Sequence, residues 1–261
     1  RQLGWRVREG VGRTGVVAEL GPDYGPTVGL RVDMDALPVE ERTGLSYAST
    51  RQGLMHACGH DLHTCTGLGV ARLLAQEPHL GARVRLLFQP AEELAQGAVW
   101  MRDAGAVEGL DALYGLHVVP NLPVGTVGIR RGCLTAAAGE LEILVQGEGG
   151  HGARPHQSVD AVWLAARVIT ELQQTIARRL DALQPVVISF GKVEGGRAFN
   201  VIADQVRLLG TVRCLDLQQH AQLPAWIDET VQGICATGGG TAVVNYRCIA
   251  PPVHNLSLIH I

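Results

Sequence analysis

The chain has 261 residues, 46% of them hydrophobic and 18% charged, with a formal net charge of -3 and a pI near 6.4. That length supports one or two domains with a real core and excludes a disulfide miniprotein, and no run approaches the roughly 18 apolar residues of a membrane-spanning helix. The near-neutral charge leaves no basic patch for nucleic acid or an anionic membrane, so the expected ligand is small and neutral or acidic.

In chain order, Thr14 to Leu20 and Thr27 to Asp33 are β-branched runs split by the turn-rich Gly21 to Pro26, a strand-turn-strand signal. Asp61 to Gln76 places Leu62, Leu68, Ala71, Leu74 and Ala75 on one helical face, with Pro78 just beyond its end. Arg83 to Phe88 predicts a strand, Ala91 to Ala104 a helix closed by Gly105, and Asp111 to Val118 another strand. Strands alternating with helices predict an α/β layered domain with a largely parallel sheet, whose ligands gather at the carboxyl ends of strands. From Cys133 the rhythm changes. Glu140 to Gln146 alternates with period two, and Ser158 precedes a helix with a stripe of Val162, Ala166, Ile169, Leu172 and Ile176. Pro185 to Val193 and Gln205 to Leu215 are strands joined through Gly195-Gly196. Leu223, Ile227, Val231 and Ile234 mark a second helix, with Pro224 in its first turns or kinking it, and Thr241 to Cys248 closes the set. The order β-α-β-β-α-β is the ferredoxin-like split arrangement.

The six cysteines (Cys58, Cys65, Cys133, Cys214, Cys235, Cys248) form no C-x-x-C pair and suit the reduced thiols of a cytoplasmic protein. Lys192 is the single lysine and follows no Gly-rich loop, which disfavours Schiff-base and P-loop chemistry. The chain begins at Arg1 without Met or a basic-then-apolar leader, so no signal peptide is expected and the start is read as internal to a longer protein.

The densest cluster of metal-type donors runs from His56 to His63, with Cys58, His60, Asp61 and His63 just before a predicted helix. Cys58 and His60, two apart on an extended segment, can bind one metal or bridge two. Glu92 and Glu93, at a strand-helix junction, can divide the work of ligand and general base, or simply complement the helix dipole. His117 ends an apolar strand, where an α/β fold puts either a functional or a structural side chain. Asp33 and Asp35 at another strand end can orient ligands through hydrogen bonds, or form a turn. Cysteine, histidine and one carboxylate suit zinc, manganese, cobalt or nickel over calcium or magnesium.

Four segments, Arg31 to Val39, Met55 to Thr64, Phe88 to Glu93 with Gly97-Ala98, and Gly115 to Val118, together resemble the M20 metallopeptidase family. The likeness is to its amidohydrolase branch of hippurate and indoleacetyl-amino-acid hydrolases, and it runs in order to about Asn255. The resemblance implies a mixed-sheet, zinc-peptidase-like α/β catalytic domain interrupted by a ferredoxin-like α+β domain that mediates dimerisation and covers the substrate. On this sequence the catalytic domain is residues 1–132, the inserted domain 133–248, and 249–261 the start of the return. It implies Cys58, His60, Glu93 and His117 as ligands of two divalent metals, manganese or zinc first and cobalt or nickel next. Asp33, Asp35 and Asp61 stand behind them, and Glu92 is the general base. In the second domain it implies His151, within Gly149 to His156, as the group polarising the scissile carbonyl, commonly in the partner subunit's active site. It also places Asn200 and Arg213 near the substrate, although Arg213 reads equally as a salt-bridged strand residue. The expected reaction is amide hydrolysis of an N-acyl-amino acid by water held between metals about 3.5 to 4 Å apart, with Glu92 taking its proton and passing it to the leaving amine. The substrate stays open among benzoyl-, acetyl- and indoleacetyl-amino acids and N-acetyl-diaminopimelate.

One departure stands out. The family's further metal-binding histidine comes from a later segment; Leu256 to Ile261 does not continue the pattern, and neither His254 nor His260 is assigned as that ligand. The tail is read as a truncation or frame artefact. Two alternatives follow: a fragment that binds metal or dimerises without catalysis, and a plain structural zinc site with a closed four-ligand shell.

Overall fold

The computed structural model describes residues 1–181 and 183–256; the expectations placed on the tail beyond Leu256, His260 included, lie outside the described residues. The chain divides into two compact units, residues 1–127 and 128 onward. The first contains β1 (Arg6–Val11), β2 (Gly15–Leu20), β3 (Thr27–Asp33), α1 (His60–Leu74), β4 (Arg83–Gln89), α2 (Gly97–Asp103) and β5 (Ala112–Gly115). Its sheet runs β1-β2-β4-β3-β5. β4 is antiparallel to β2 but parallel to β3, and β3 is parallel to β5, so the sheet is mixed rather than largely parallel.

The centre of that sheet follows from β4, whose Leu86, Leu87 and Phe88 are all buried. Leu86 and Phe88 face one way, packing with Trp5, Val32 and Ala71 of α1. Leu87 faces the other, with Val17, Met101 of α2 and Ala106. An apolar run without alternation is what a strand covered on both faces requires. It also explains why β2 and β3 are not the hairpin partners their sequence suggested: β4 lies between them. β1 went unanticipated because its Arg6, Arg8 and Glu9 give an exposed, charged edge strand instead of an apolar signature.

Three further differences place the site. Residues 91–96 form a turn rather than the first half of a helix, and α2 begins only at Gly97. The amide of Glu93, which a helix would have oriented along its axis, instead donates to Asp35 Oδ2 at 3.1 Å. β5 ends at Gly115 and not at Val118, because the Val118 amide leaves the sheet to meet His63. α1 buries His60, His63, Gly67 and Ala71, while Leu62 and Leu68 are 55% and 56% exposed. Its rotation obeys hydrogen bonds from two histidines rather than the apolar stripe.

The second unit contains β6 (Gly132–Thr135), β7 (Ala138–Gln146), β8 (Gly150–His151), α3 (Ala161–Arg179), β9 (Val186–Gly195), β10 (Val201–Ile202), β11 (Gln205–Cys214), α4 (Leu217–Thr237), β12 (Thr241–Ala250) and β13 (Val253–Asn255). The main sheet, β12-β7-β11-β9, is antiparallel throughout, the ferredoxin-like order. On β7, Leu141, Ile143 and Val145 are fully buried in a core shared with α3 and α4. Alternating residues carry ion pairs, including Arg207 with Glu142 at 2.6 Å and Arg247 with Glu140. Smaller pairings join β8 to β10 and β6 to β13, the latter setting His254 opposite Cys133.

α3 starts later than expected and is turned about its axis. Asp160, not Ser158, is the N-cap, its Oδ1 accepting from the amides of Val162 and Trp163. The buried line is Ala161, Leu164, Ala165, Val168 and Leu172, whereas Val162 is 50% exposed and Ala166 is exposed. In α4 the expected Leu223, Ile227, Val231 and Ile234 are buried, and Pro224 is accommodated inside the helix. The two α3 registers give opposite expectations. Leu164→Ala is expected to cost about 2 to 5 kcal/mol in urea denaturation and Val162→Ala within about 0.5 kcal/mol; the reverse ranking would refute this orientation.

Candidate metal centre and active site

Three elements of the first unit bring their ends together. β3 delivers Asp33 and, just beyond it, Asp35. The turn after β4 delivers Glu92 and Glu93, and the segment after β5 delivers His117. α1 begins at His60 directly behind Gly59, which holds φ of 80°. A side chain at Gly59 would meet Val118 Cγ2 at 2.5 Å, so only glycine lets the Cys58-Gly59-His60 corner approach the His117 segment. The glutamate turn has the same requirement. A Cβ on Gly97 would lie 1.5 Å from the Pro90 carbonyl oxygen, and the Gly97 amide closes the turn on Ala91 O at 3.1 Å.

Hydrogen bonding separates the histidines by role. His60 Nδ1 lies 3.1 Å from both the carbonyl oxygen and Oδ1 of Asp35, two acceptors, so Nδ1 carries the proton and Nε2 presents its lone pair. His117 Nδ1 donates to the Val118 carbonyl at 2.7 Å, so Nε2 is the accepting nitrogen and takes the Cys58 thiol, whose Sγ lies at 3.4 Å. His63 differs. Its Nδ1 donates to Asp33 Oδ1 at 2.5 Å and its Nε2 accepts from the Val118 amide at 2.9 Å, so neither nitrogen remains for a ligand.

Around His60 Nε2 the chemistry is one-sided. Asp33 Oδ2 lies at 3.7 Å, Glu92 Oε2 at 3.8 Å and Glu93 Oε1 at 3.8 Å. His60 Nε2 and Asp33 Oδ2 are both buried with no hydrogen-bond partner, although Arg31 Nη1 makes an ion-pair contact with that carboxylate at 2.8 Å. Arg31 offsets the charge of Asp33 alone; the carboxylates of Glu92 and Glu93 and the His60 Nε2 lone pair still face one another and lose hydration, a cost that a cation removes. The thiol feels the same field: burial, then a hydrogen bond with Glu93 and the charges of Glu93, Glu92 and Asp33, push Cys58 up to about 11. Asp35 shifts the other way. Although burial is the largest influence and opposes it, hydrogen bonds from the Glu93 and Glu92 amides, its own amide and His60 together hold its carboxyl below the usual range.

Ligand atoms within 4.8 Å of one another form the sets Cys58-His60-His117, His60-Glu92-Glu93 and Asp33-His60-His63. The first two have open lone pairs and share His60, and their soft and carboxylate donors fit a divalent transition metal or zinc. The third is closed by the hydrogen bonds of His63. The structure thus brings together Cys58, His60, Glu92, Glu93, His117, Asp33 and Asp35. Asp61 is exposed in the first turn of α1 and is not among the carboxylates near His60. The histidine that sequence reasoning left without a role is His63; its spacing of three from His60, one turn along α1, was the available signal.

In the second unit, His151 on β8 pairs with Val201 on β10, and the Gly152 amide donates to Asn200 O at 2.9 Å, so His151 and Asn200 share one small cradle. The Ala153 amide donates to His151 Nδ1 at 3.1 Å, which assigns the proton of the neutral ring to Nε2. Arg213, near the end of β11, is exposed and bonds to Thr211 Oγ1 and to the Val212 carbonyl.

A mixed sheet whose strand ends converge Cys, His and Glu donors, with a ferredoxin-like unit beside it in the chain, defines a metallopeptidase-type protein. A profile of the peptidase family M20/M25/M40 matches residues 29–256, and the chain belongs to that family. A probable hydrolase of Synechocystis sp. is 54% identical over 255 residues, 97% of this chain and 65% of its own length. N-acetylcysteine deacetylase of Bacillus subtilis is 41% identical over 245 residues, 93% of this chain and 64% of its own. The crystal structure of the Bacillus subtilis YXEP protein, described as a dinuclear metal binding peptidase from the M20 family, superposes with a TM-score of 0.84 at 36% identity, covering 98% of this chain and 67% of that one. The chain thus spans a little under two thirds of the length of these curated relatives.

Two expectations follow. Gly97→Ala should open the glutamate turn and remove metal binding, read by metal analysis after dialysis, while the melting of the ferredoxin-like unit stays unchanged; full metal content in that variant would refute the turn's role. Because the Cys58 thiol is protonated below about pH 11, binding a cation there must release a proton, so apparent zinc affinity should climb by about tenfold per pH unit across neutrality. Competition titrations at several pH values measure this, and a flat profile would count against Cys58 as a ligand.

Proposed function

We propose that the protein containing this chain is a two-metal amidohydrolase that cleaves an N-acyl-amino acid to a carboxylate and a free amino acid. The observation that carries the reading is the convergence on His60 Nε2, where three carboxylates from two segments, the end of β3 and the turn after β4, surround a buried lone pair. Cys58, His60, Glu93 and His117 would hold the metals, with Asp33 and Asp35 keeping the imidazoles in orientation. Two divalent ions, manganese or zinc first and cobalt or nickel next, would acidify water and polarise the amide carbonyl.

The side chains then have distinct tasks. Glu92, more open than His60 and 3.8 Å from its Nε2, takes the proton of the attacking water and returns it to the departing nitrogen, so protons balance over the cycle. His151, with its Nε2 proton, donates to the carbonyl oxygen as negative charge grows there. Asn200 and Arg213 are assigned to substrate contact, Arg213 to its carboxylate. The deacetylase relatives support an N-acetyl-amino acid as the first substrate to try, with N-benzoyl-amino acids next. A homodimer through residues 133–248 and a cytoplasmic location complete the reading; among the described residues, no helix is long and apolar enough to cross a membrane.

The test is Glu92→Gln in the full-length protein. Hydrolysis of N-acetyl- and N-benzoyl-amino acids should fall by about 10² to 10⁴ with metal content intact. Retained turnover would overturn the assignment of the base, and hydrolysis of neither substrate by the metal-loaded wild type would overturn the substrate class.

A further inference from the structure

We infer that His63 is a positioning residue for the metal centre: it is no ligand, but a bracket that fixes where His117 presents its lone pair. The inference rests on reading the site as a metal centre. Beyond Gly115, β5 no longer pairs with the sheet, so the ladder that holds Ala112 to Gly115 does not hold His117. The His63 ring takes over that role. Its Nε2 accepts the Val118 amide at 2.9 Å, and that nitrogen belongs to the same peptide unit as the His117 carbonyl, so ψ of His117 is pinned. His117 Nδ1 in turn donates to the Val118 carbonyl at 2.7 Å, which fixes the ring's tautomer and tilt. The two rings meet edge to face at 4.6 Å between centroids, leaving His117 little room to swing.

The other end of the bracket is equally anchored. His63 Nδ1 donates to Asp33 Oδ1 at 2.5 Å, and both side chains are completely buried. Thr64 Oγ1 donates to the Asp33 carbonyl at 2.9 Å, tying the same turn of α1 to the end of β3. The half-buried Val118 amide and the buried Asp33 carboxylate therefore meet across one imidazole, with a donor needed on one side and an acceptor on the other. A neutral Nδ1-protonated ring supplies both. The distance between the two ring nitrogens resembles that between the oxygen and nitrogen of a primary amide. Glutamine at this position can therefore accept from Val118 and donate to Asp33, whereas leucine fills the volume and satisfies neither.

The experiment uses the full-length protein stripped of metal and titrated with Zn²⁺ or Co²⁺ alone. In nitrogen-detected spectra of the wild type, the His63 ring should show the Nδ1-protonated tautomer and keep its shifts as Zn²⁺ is added, while His60 and His117 move. Movement of His63 to a metal-bound shift, or an Nε2-protonated ring, would overturn the inference. No zinc uptake by the wild type would instead overturn the metal-centre reading itself. Among variants shown to be folded by circular dichroism, His63→Leu should bind Co²⁺ about 10- to 100-fold more weakly, with altered visible bands. His63→Gln should recover most of both. Wild-type affinity in His63→Leu, or a His63→Gln variant as weak as His63→Leu, would refute the bracket; if His63→Leu does not fold, the wild-type spectra still decide.

Discussion

Four carboxylates, those of Asp33, Asp35, Glu92 and Glu93, approach a single buried imidazole, His60, which as a neutral ring has one proton to give. Asp35 takes that proton's hydrogen bond, and the other three face a lone pair. The first unit's architecture serves this crowding. β3 and β4 are parallel neighbours, so Asp33 and the Glu92-Glu93 turn emerge at the same edge of the sheet. α1 packs across that edge with His60 and His63 turned inward. Arg31 meets Asp33 only, so the remaining negative groups are held close at a local cost in stability, for a site that a cation completes.

Backbone amides do the positioning. The Glu93 amide goes to Asp35, the Val118 amide to His63, and the Gly97 amide to Ala91. Each lies where a regular helix or strand would otherwise have continued. Ala91 and Ala95 adopt φ of 49° and 52° on either side of the glutamates, a left-handed backbone that alanine adopts at a cost. The irregular geometry is concentrated where the donors converge, and the sheet and helices beneath it are ordinary.

The second unit is built differently, from one continuous core that, among the described residues, contains no buried Asp, Glu, Lys or Arg. Its Tyr246 is pushed up to about 12, chiefly by burial, and hydrogen-bonds to His220 at 2.8 Å, filling the space a side chain at Gly139 would need. The short β8-β10 pairing, with His151 and Asn200, stands beside this core as a separate two-stranded sheet.

Much of this was legible in the residues themselves. Period-two alternation in β7 and the 3.6-residue spacing in α4 are local signals, and burial followed them residue by residue. The donor types at 92, 93 and 117, each just beyond an apolar run, likewise marked segments that follow strands, and those at 58 and 60 the start of a helix. In α1 and in the turn after β4 the sequence misled because of a long-range hydrogen bond. Leu62 and Leu68 form an apolar stripe, yet α1 turns His60 and His63 inward because a buried carboxylate and an amide need them. Residues 91 to 96 have helix-forming composition, yet Asp35 claims the Glu93 amide. Composition and spacing by themselves determined the class of chemistry, since donor identity is a local property. Which of His60 and His63 keeps an open lone pair and which spends both nitrogens on the scaffold was decided only by tertiary structure, because their tautomers depend on partners that are 25 to 55 residues away along the chain.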